Sequence, residues 1–192
     1  MLALLVSSVL AGCSDSNPAT PAYGDNEAQM TAGEAALAKN IAAIPPGEIS
    51  EEERASLILL REEEKLARDV YIAMYQLWGQ RTFNNISRSE ETHMRAVLTL
   101  LNRYGIPDPV GSNGTGVFTS PELQQLYDQL IARGNTSLAE ALRVGVLIEE
   151  TDINDLTEGL TVVDNRDIRL VYNNLLDGSQ NHLLAFTRSL GI

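Results

Sequence analysis

Four stretches of this sequence set apolar residues three and four apart, and that spacing is the strongest constraint on its fold. The first runs Leu57, Leu60, Ala67, Tyr71, Met74, Trp78 and the second Ile86, Val97, Leu100, Tyr104. The third is Leu138, Leu142, Gly145, Leu156, and the fourth Ile168, Tyr172, Leu175, Phe186. Such steps give a helix one apolar face, whereas the alternation of a strand is nearly absent. A helix with one apolar face must bury it against others, which predicts an all-α bundle of four long helices. With aromatic residues at only 5%, the core falls to Leu, Ile, Val and Ala.

Local signals bound the elements. Ser50 and Glu53 form a capping box before the first helix, which ends near Trp78 at Gly79. The second is expected to start at Ser87, boxed with Glu90, and to stop at Gly105. Pro107, Pro109, Gly111, Gly114 and Gly116 mark a loop. Ser120-Pro121 opens a short helix ending near Gly134. Ser137 and Glu140 box the third long helix, and Asp164 caps the fourth. Helices thus pair closely in sequence, one with two and three with four. A connection of roughly thirty residues separates the pairs, the connectivity of ferritin-like bundles with one long crossover.

Each stripe is broken by polar residues where burial would be expected: Glu64; Glu90 and His93; Glu149 and Asp152; Ser179 and His182. Residues three apart on a helix share a face, so Glu90 and His93 point the same way, as do Glu149 and Asp152. Buried carboxylates are costly unless paired, protonated or bound to a metal. Polar breaks in all four stripes, including both histidines of the chain, therefore point to a core metal site of one or two ions. Mixed carboxylate and imidazole ligands suit iron, manganese or zinc. Glu62 and Glu63 point elsewhere and are expected in solvent. With helix two starting at Ser87, Glu90 reaches the level of Glu64 only if residues 79–86 run back along the bundle, a span of about 25 Å that eight extended residues can cover. The competing reading is a polar core network without metal.

A net charge of −12 argues against nucleic acid as a partner. Residues 1–12 form a short uncharged apolar run, too short to span a bilayer as a helix. Leu10-Ala11-Gly12-Cys13 resembles the bacterial lipobox, which implies a signal peptide over 1–12 and lipidation of Cys13, although the usual basic residues near the start are missing. Ser14 then favours the outer membrane in a Gram-negative cell, and the protein would be lipid-anchored in the envelope, facing the periplasm. Residues 13–48, rich in Ser, Asn, Ala, Pro and Gly, read as a tether with a short helix around Met30 to Ile44, and residues 49–192 as the bundle.

Four segments resemble a family within the ferritin-like superfamily, domain of unknown function 2202 (DUF2202), over about Ile49 to Leu190. They are the run from Glu62 to Tyr71, Ser89 to Met94, Ile148 to Ile153, and Gly178 to Leu183. The site pattern is also similar to that of rubrerythrins, where a glutamate precedes a tyrosine by seven residues as Glu64 precedes Tyr71. The resemblance implies Glu64 as the first-helix ligand, Glu90 and His93 as the second-helix pair, Glu149 and Asp152 as the third-helix acids and His182 as the last histidine. Ser179 departs from the pattern, standing where a full di-iron site has glutamate. Paired cysteines for a rubredoxin-like module are absent as well. The implied activity is a di-iron redox domain acting on dioxygen or peroxide, with Tyr71 or Tyr172 supplying a proton or an electron. The alternatives are a non-catalytic metal-binding or sensing lipoprotein, and a structural bundle with a polar core. Homodimers are common in the superfamily and are possible here.

Overall fold

The computed structural model describes residues 31–191. The signal segment, Cys13 and the first half of the tether lie outside the described residues. Within them the chain is helical and holds no strand: α1 (Ala32–Ala43), α2 (Glu51–Trp78), α3 (Arg81–Arg103), α4 (Pro121–Gly134), α5 (Leu138–Val162) and α6 (Arg166–Leu190). Helices α2 and α3 form one antiparallel pair and α5 and α6 another, and the two pairs pack together as an all-α bundle. The crossover helix α4 lies against α2 and α5, and α1 packs on α3 and α6 through buried Ile41. The helix expected near Met30 to Ile44 is thus docked, which makes residues 32–43 part of the packed unit.

The Ser50 capping box forms as expected, and Gly79 ends α2 in the left-handed conformation at φ 65°. Helix α3 differs from expectation. It starts at Arg81 rather than Ser87, so only Gly79 and Gln80 separate α2 from α3. The polar run Thr82 to Ser87 gives little sign of helix, but Phe83 is fully buried against Tyr71 and Phe186, and that packing outweighs local propensity. Ser87 is no cap; its hydroxyl donates to the Asn84 carbonyl at 3.1 Å. Glu90 therefore lies in mid-helix, level with Glu64, and no returning loop is needed.

Two other caps also differ. At α5, Ser137 accepts from the Glu140 N–H at 3.1 Å, but the Glu140 carboxylate turns to Arg133 and Arg143, so only half the box forms. At α6 the N-cap is Asn165, not Asp164. Its side chain makes no capping bond; the residues that lead into the helix are held from another helix. The Glu53 carboxylate accepts from the N–H groups of Asp164, Asn165 and Ser50 and from the Asn165 amide, tying the start of α2 to the α5–α6 turn.

Glu62 is not in solvent. It is 4% exposed and accepts from the N–H groups of Thr119 and Ser120, where α4 begins. One and two turns on, Lys65 and Asp69 form a buried ion pair that also accepts from Gly116 N–H and donates to the Gly114 carbonyl. This face of α2 satisfies polar groups of the crossover and fixes α4 against the bundle.

The core has two apolar halves. One gathers Leu66, Val70, Tyr71, Met74, Phe83, Ile86, Ile148 and Phe186. The other gathers Leu57, Leu60, Val97, Leu100, Leu156, Ile168, Tyr172 and Leu175. On each long helix the interrupting polar residues fall between the two halves: Glu64 between Leu60 and Ala67, Glu90 and His93 between Ile86 and Val97, Glu149 and Asp152 between Ile148 and Leu156, Ser179 and His182 between Leu175 and Phe186. Four breaks in four stripes become one polar layer.

Candidate metal centre

Glu90 is the centre of that layer. Its Oε2 lies 2.8 Å from His93 Nδ1, and its Oε1 lies 3.0 Å from His182 Nδ1. Glu64 Oε2 lies 3.2 Å from the same nitrogen of His93, and Glu149 Oε2 lies 3.4 Å from that of His182. The two imidazole rings stack with centroids 5.4 Å apart. Two groups of ligand-type atoms result, Glu64–Glu90–His93 and Glu90–Glu149–His182, each within 4.8 Å, and they share Glu90. All five residues are buried.

The layer is not a finished hydrogen-bond network. Among the described residues, Glu64 Oε1, Glu90 Oε1 and His182 Nδ1 are fully buried without a hydrogen-bond partner. The Glu90–His182 contact has the distance of a hydrogen bond but not its direction. Orphaned buried polar groups cost on the order of 1–3 kcal/mol each, and carboxylate oxygens that converge with imidazole nitrogens suit a cation. Among the described residues, no lysine or arginine takes that place. Lys65 is bound to Asp69, Arg61 to Asp108, and Arg68 to Asp69 and Glu91. The residues present thus fit a metal.

The electrostatics of the layer agree. Burial pushes the Glu64 carboxyl up to about 7, with His93 opposing the shift and Glu90 adding to it. Burial, with the charge of Glu90, pushes Glu149 up to about 8. Glu90 goes the other way, because His93 and His182 outweigh its burial and hold it below the ordinary carboxylate range. Burial disfavours a charged His182, yet Glu149 and Glu90 bring it up to about 10. Protons and divalent ions would therefore compete for the same atoms.

The structure also locates the other candidates. Tyr71 is fully buried, and its hydroxyl donates to Glu149 Oε1 at 2.6 Å, which orients that carboxylate. Asp152 borders the layer but belongs to neither three-residue group; the Ser179 hydroxyl donates to its Oδ2 at 2.5 Å. The serine in the expected glutamate position thus holds the neighbouring acid. Tyr172 is not brought to the layer. It lies in the other core half, with its hydroxyl 2.6 Å from Ser56 Oγ.

Gly178 is a site residue that spacing does not reveal. A Cβ there would lie 2.5 Å from His93 Nε2, so the His93 ring packs directly on the α6 backbone. A lone glycine inside a helix, next to a residue of the polar layer, was the available signal. Beside the layer a cavity of about 290 Å³ opens between α2, α4 and α5. Glu64, Glu90, Glu149 and Asp152 form its inner end, Glu63 and Asp155 its acidic rim. Burial and the charges of Asp155 and Asp152 push Glu63 up to about 8, so it is not the solvated carboxylate that its off-stripe position suggests.

Comparison with known proteins places the chain in a family. It is 50% identical over 150 residues to the uncharacterized protein MJ0754 of Methanocaldococcus jannaschii, covering 78% of this chain and 81% of that one. A crystal structure of hypothetical protein MJ0754 from Methanococcus jannaschii DSM 2661 matches with a TM-score of 0.76, covering 78% and 85% of the two chains. A crystal structure of a DUF305 fragment from Deinococcus radiodurans has a TM-score of 0.53 at 17% identity, covering 77% of this chain and 99% of that one, a likeness of fold alone. The uncharacterized protein domain DUF2202 matches residues 53–191, the bundle with its polar layer, and the chain belongs to that family.

Proposed function

We propose that this protein binds two divalent transition-metal ions, one held by Glu64, Glu90 and His93 and the other by Glu90, Glu149 and His182, and that it is a ferritin-like redox protein using iron. The observation that carries the reading is Glu90, whose two carboxylate oxygens face one histidine each, with Oε1 left unsatisfied. Two ferrous ions would supply the two electrons that reduce peroxide to water, a reaction that also consumes two protons. The chain's own residues do the rest. Glu90 joins the two ligand groups, Tyr71 fixes Glu149 and keeps a proton beside it, and Gly178 lets His93 reach the layer. The two apolar halves keep bulk water from both ends.

Ser179 favours a second reading, a binding or sensing protein without turnover. Its hydroxyl engages Asp152, and no further carboxylate from α6 completes the second group. The experiment loads the full chain anaerobically with ferrous iron and adds peroxide. An absorption change with peroxide consumption supports the redox reading; bound iron that peroxide leaves unchanged supports the second. The double variant Glu64→Ala, His182→Ala should lose metal uptake while keeping its helix content, and unchanged stoichiometry would refute the assigned ligands.

Anchoring to the bacterial envelope through a lipid on Cys13 completes the proposal. Its support is the lipobox-like Leu10-Ala11-Gly12-Cys13. No described helix is long and apolar enough to cross a membrane. Labelled fatty acid should enter the chain in bacteria and fail to enter Cys13→Ala.

A further inference from the structure

The cavity beside the polar layer has walls that the binding of metal does not require. Leu123, Leu126 and Leu130 of α4 face Leu66 and Ala67 of α2 and Ile148 of α5 across it. At about 290 Å³ it stands near the lower end of small-molecule pockets, which run from about 300 Å³. An apolar cavity of about 150 Å³ already takes up benzene, so this one suits a body of roughly twice that volume. Dioxygen and peroxide need no such space, and an unfilled apolar cavity lowers stability. The α4 wall is held in place from outside, because Glu62 accepts from the N–H groups of Thr119 and Ser120 at the start of that helix.

We infer that this cavity is the ligand pocket of the centre and that it takes an uncharged, mainly apolar organic molecule, held by the α4 leucines with one end against Glu64, Glu90 and Glu149. The inference rests on the metal reading proposed above. The charge of the site selects the class. Two divalent ions balance the four carboxylates Glu64, Glu90, Glu149 and Asp152, so the inner end carries no net charge to draw an ionic group. Asp155 at the rim and the net charge of −12 repel anions such as fatty acids. Specificity then comes from volume and from the leucine wall.

The test uses N-phenyl-1-naphthylamine, an uncharged hydrophobe whose emission rises and shifts to the blue in apolar surroundings, with the full chain. Metal-free wild type should bind it, and the anionic analogue 1-anilinonaphthalene-8-sulfonate should bind far more weakly. Ala67→Phe fills the cavity and should abolish the signal. Thr151→Trp closes the exposed rim without touching the core and should do the same, which keeps the test valid if the first variant misfolds. Cobalt-loaded wild type supplies the second readout, since the probe should alter its visible absorption. A chain that binds cobalt but not the probe overturns the pocket and leaves the metal centre standing. Probe binding that leaves the cobalt spectrum unchanged, or that survives both variants, overturns the ligand assignment. Probe binding without cobalt binding refutes the metal reading and the pocket's link to it. The same samples are sized, and exclusion of the probe from a wild-type dimer would make this face an interface between copies and overturn the proposal.

Discussion

Gly178→Ala separates what the fold requires from what the centre requires. In an ordinary helix interior this substitution adds about 0.5–1 kcal/mol of stability, because alanine loses less freedom on folding than glycine. Here the new Cβ would lie 2.5 Å from His93 Nε2 and 2.7 Å from Cε1, against an ordinary contact of at least 3.4 Å. The ring must withdraw by about 1 Å. Its Nδ1 now lies 2.8 Å from Glu90 and 3.2 Å from Glu64, and a shift of that size upsets its alignment with both carboxylates of the first ligand group. The second group, on His182, has no part in the clash. Loss of support for one ligand costs 10–100-fold in metal affinity, or about 1.4–2.8 kcal/mol. Cobalt titration with calorimetry should therefore find one site weakened by that factor and the other unchanged, with helix content as in wild type. Two sites within twofold of wild type would refute the role given to His93 and to the glycine beneath it.

Other perturbations separate structural from functional burial. Tyr71→Phe removes the donor to Glu149 and should cost about 1–3 kcal/mol in stability and weaken metal at the His182 group, as read by denaturant melts and metal titration. Lys65→Met leaves Asp69 with Arg68 as its remaining cationic partner and the Gly114 carbonyl without its donor, and should cost about 1–3 kcal/mol in a denaturant melt, with metal stoichiometry unchanged in the folded fraction. Glu53 tests linkage. Burial opposes its charge, but the hydrogen bonds from Asn165, Ser50 and Asp164 prevail and hold its pKa below the ordinary 4.5. A depressed folded pKa contributes stability that is complete above 4.5 and lost as the pH falls through the lowered value. The Tm gap between wild type and Glu53→Gln should thus be full at neutral pH and close in acid, whereas a gap independent of pH would contradict the assignment.

Helices α2, α4 and α5 could be read from sequence because their boundaries lie in short contiguous signals: Ser50 with Glu53, Ser120-Pro121, Ser137, and Gly79. The start of α3 could not, because what stabilises Thr82 to Ser87 as helix is Phe83 packing against Tyr71 and Phe186, contacts distant in sequence. Asn165 as the cap of α6 was hidden for the same reason, since its partner is Glu53 on another helix. The polar layer was legible because a carboxylate or histidine between two leucines of a helical stripe has few other places to go. Spacing fixes a helix face but not the distance between faces. It could not say that Asp152 turns to Ser179, that Tyr172 bonds Ser56, or that Glu62, off the stripe, is buried under the crossover.

The sharing of Glu90 between two ligand groups is the central claim, and counting metal tests it most directly. Full-length wild type and Glu90→Gln would be loaded anaerobically with ferrous iron, freed of excess and analysed for iron per chain. The account predicts two ions in wild type and loss of both in the variant, since one carboxylate serves both groups. Wild type without bound iron, or a Glu90→Gln chain that keeps two ions, would contradict it.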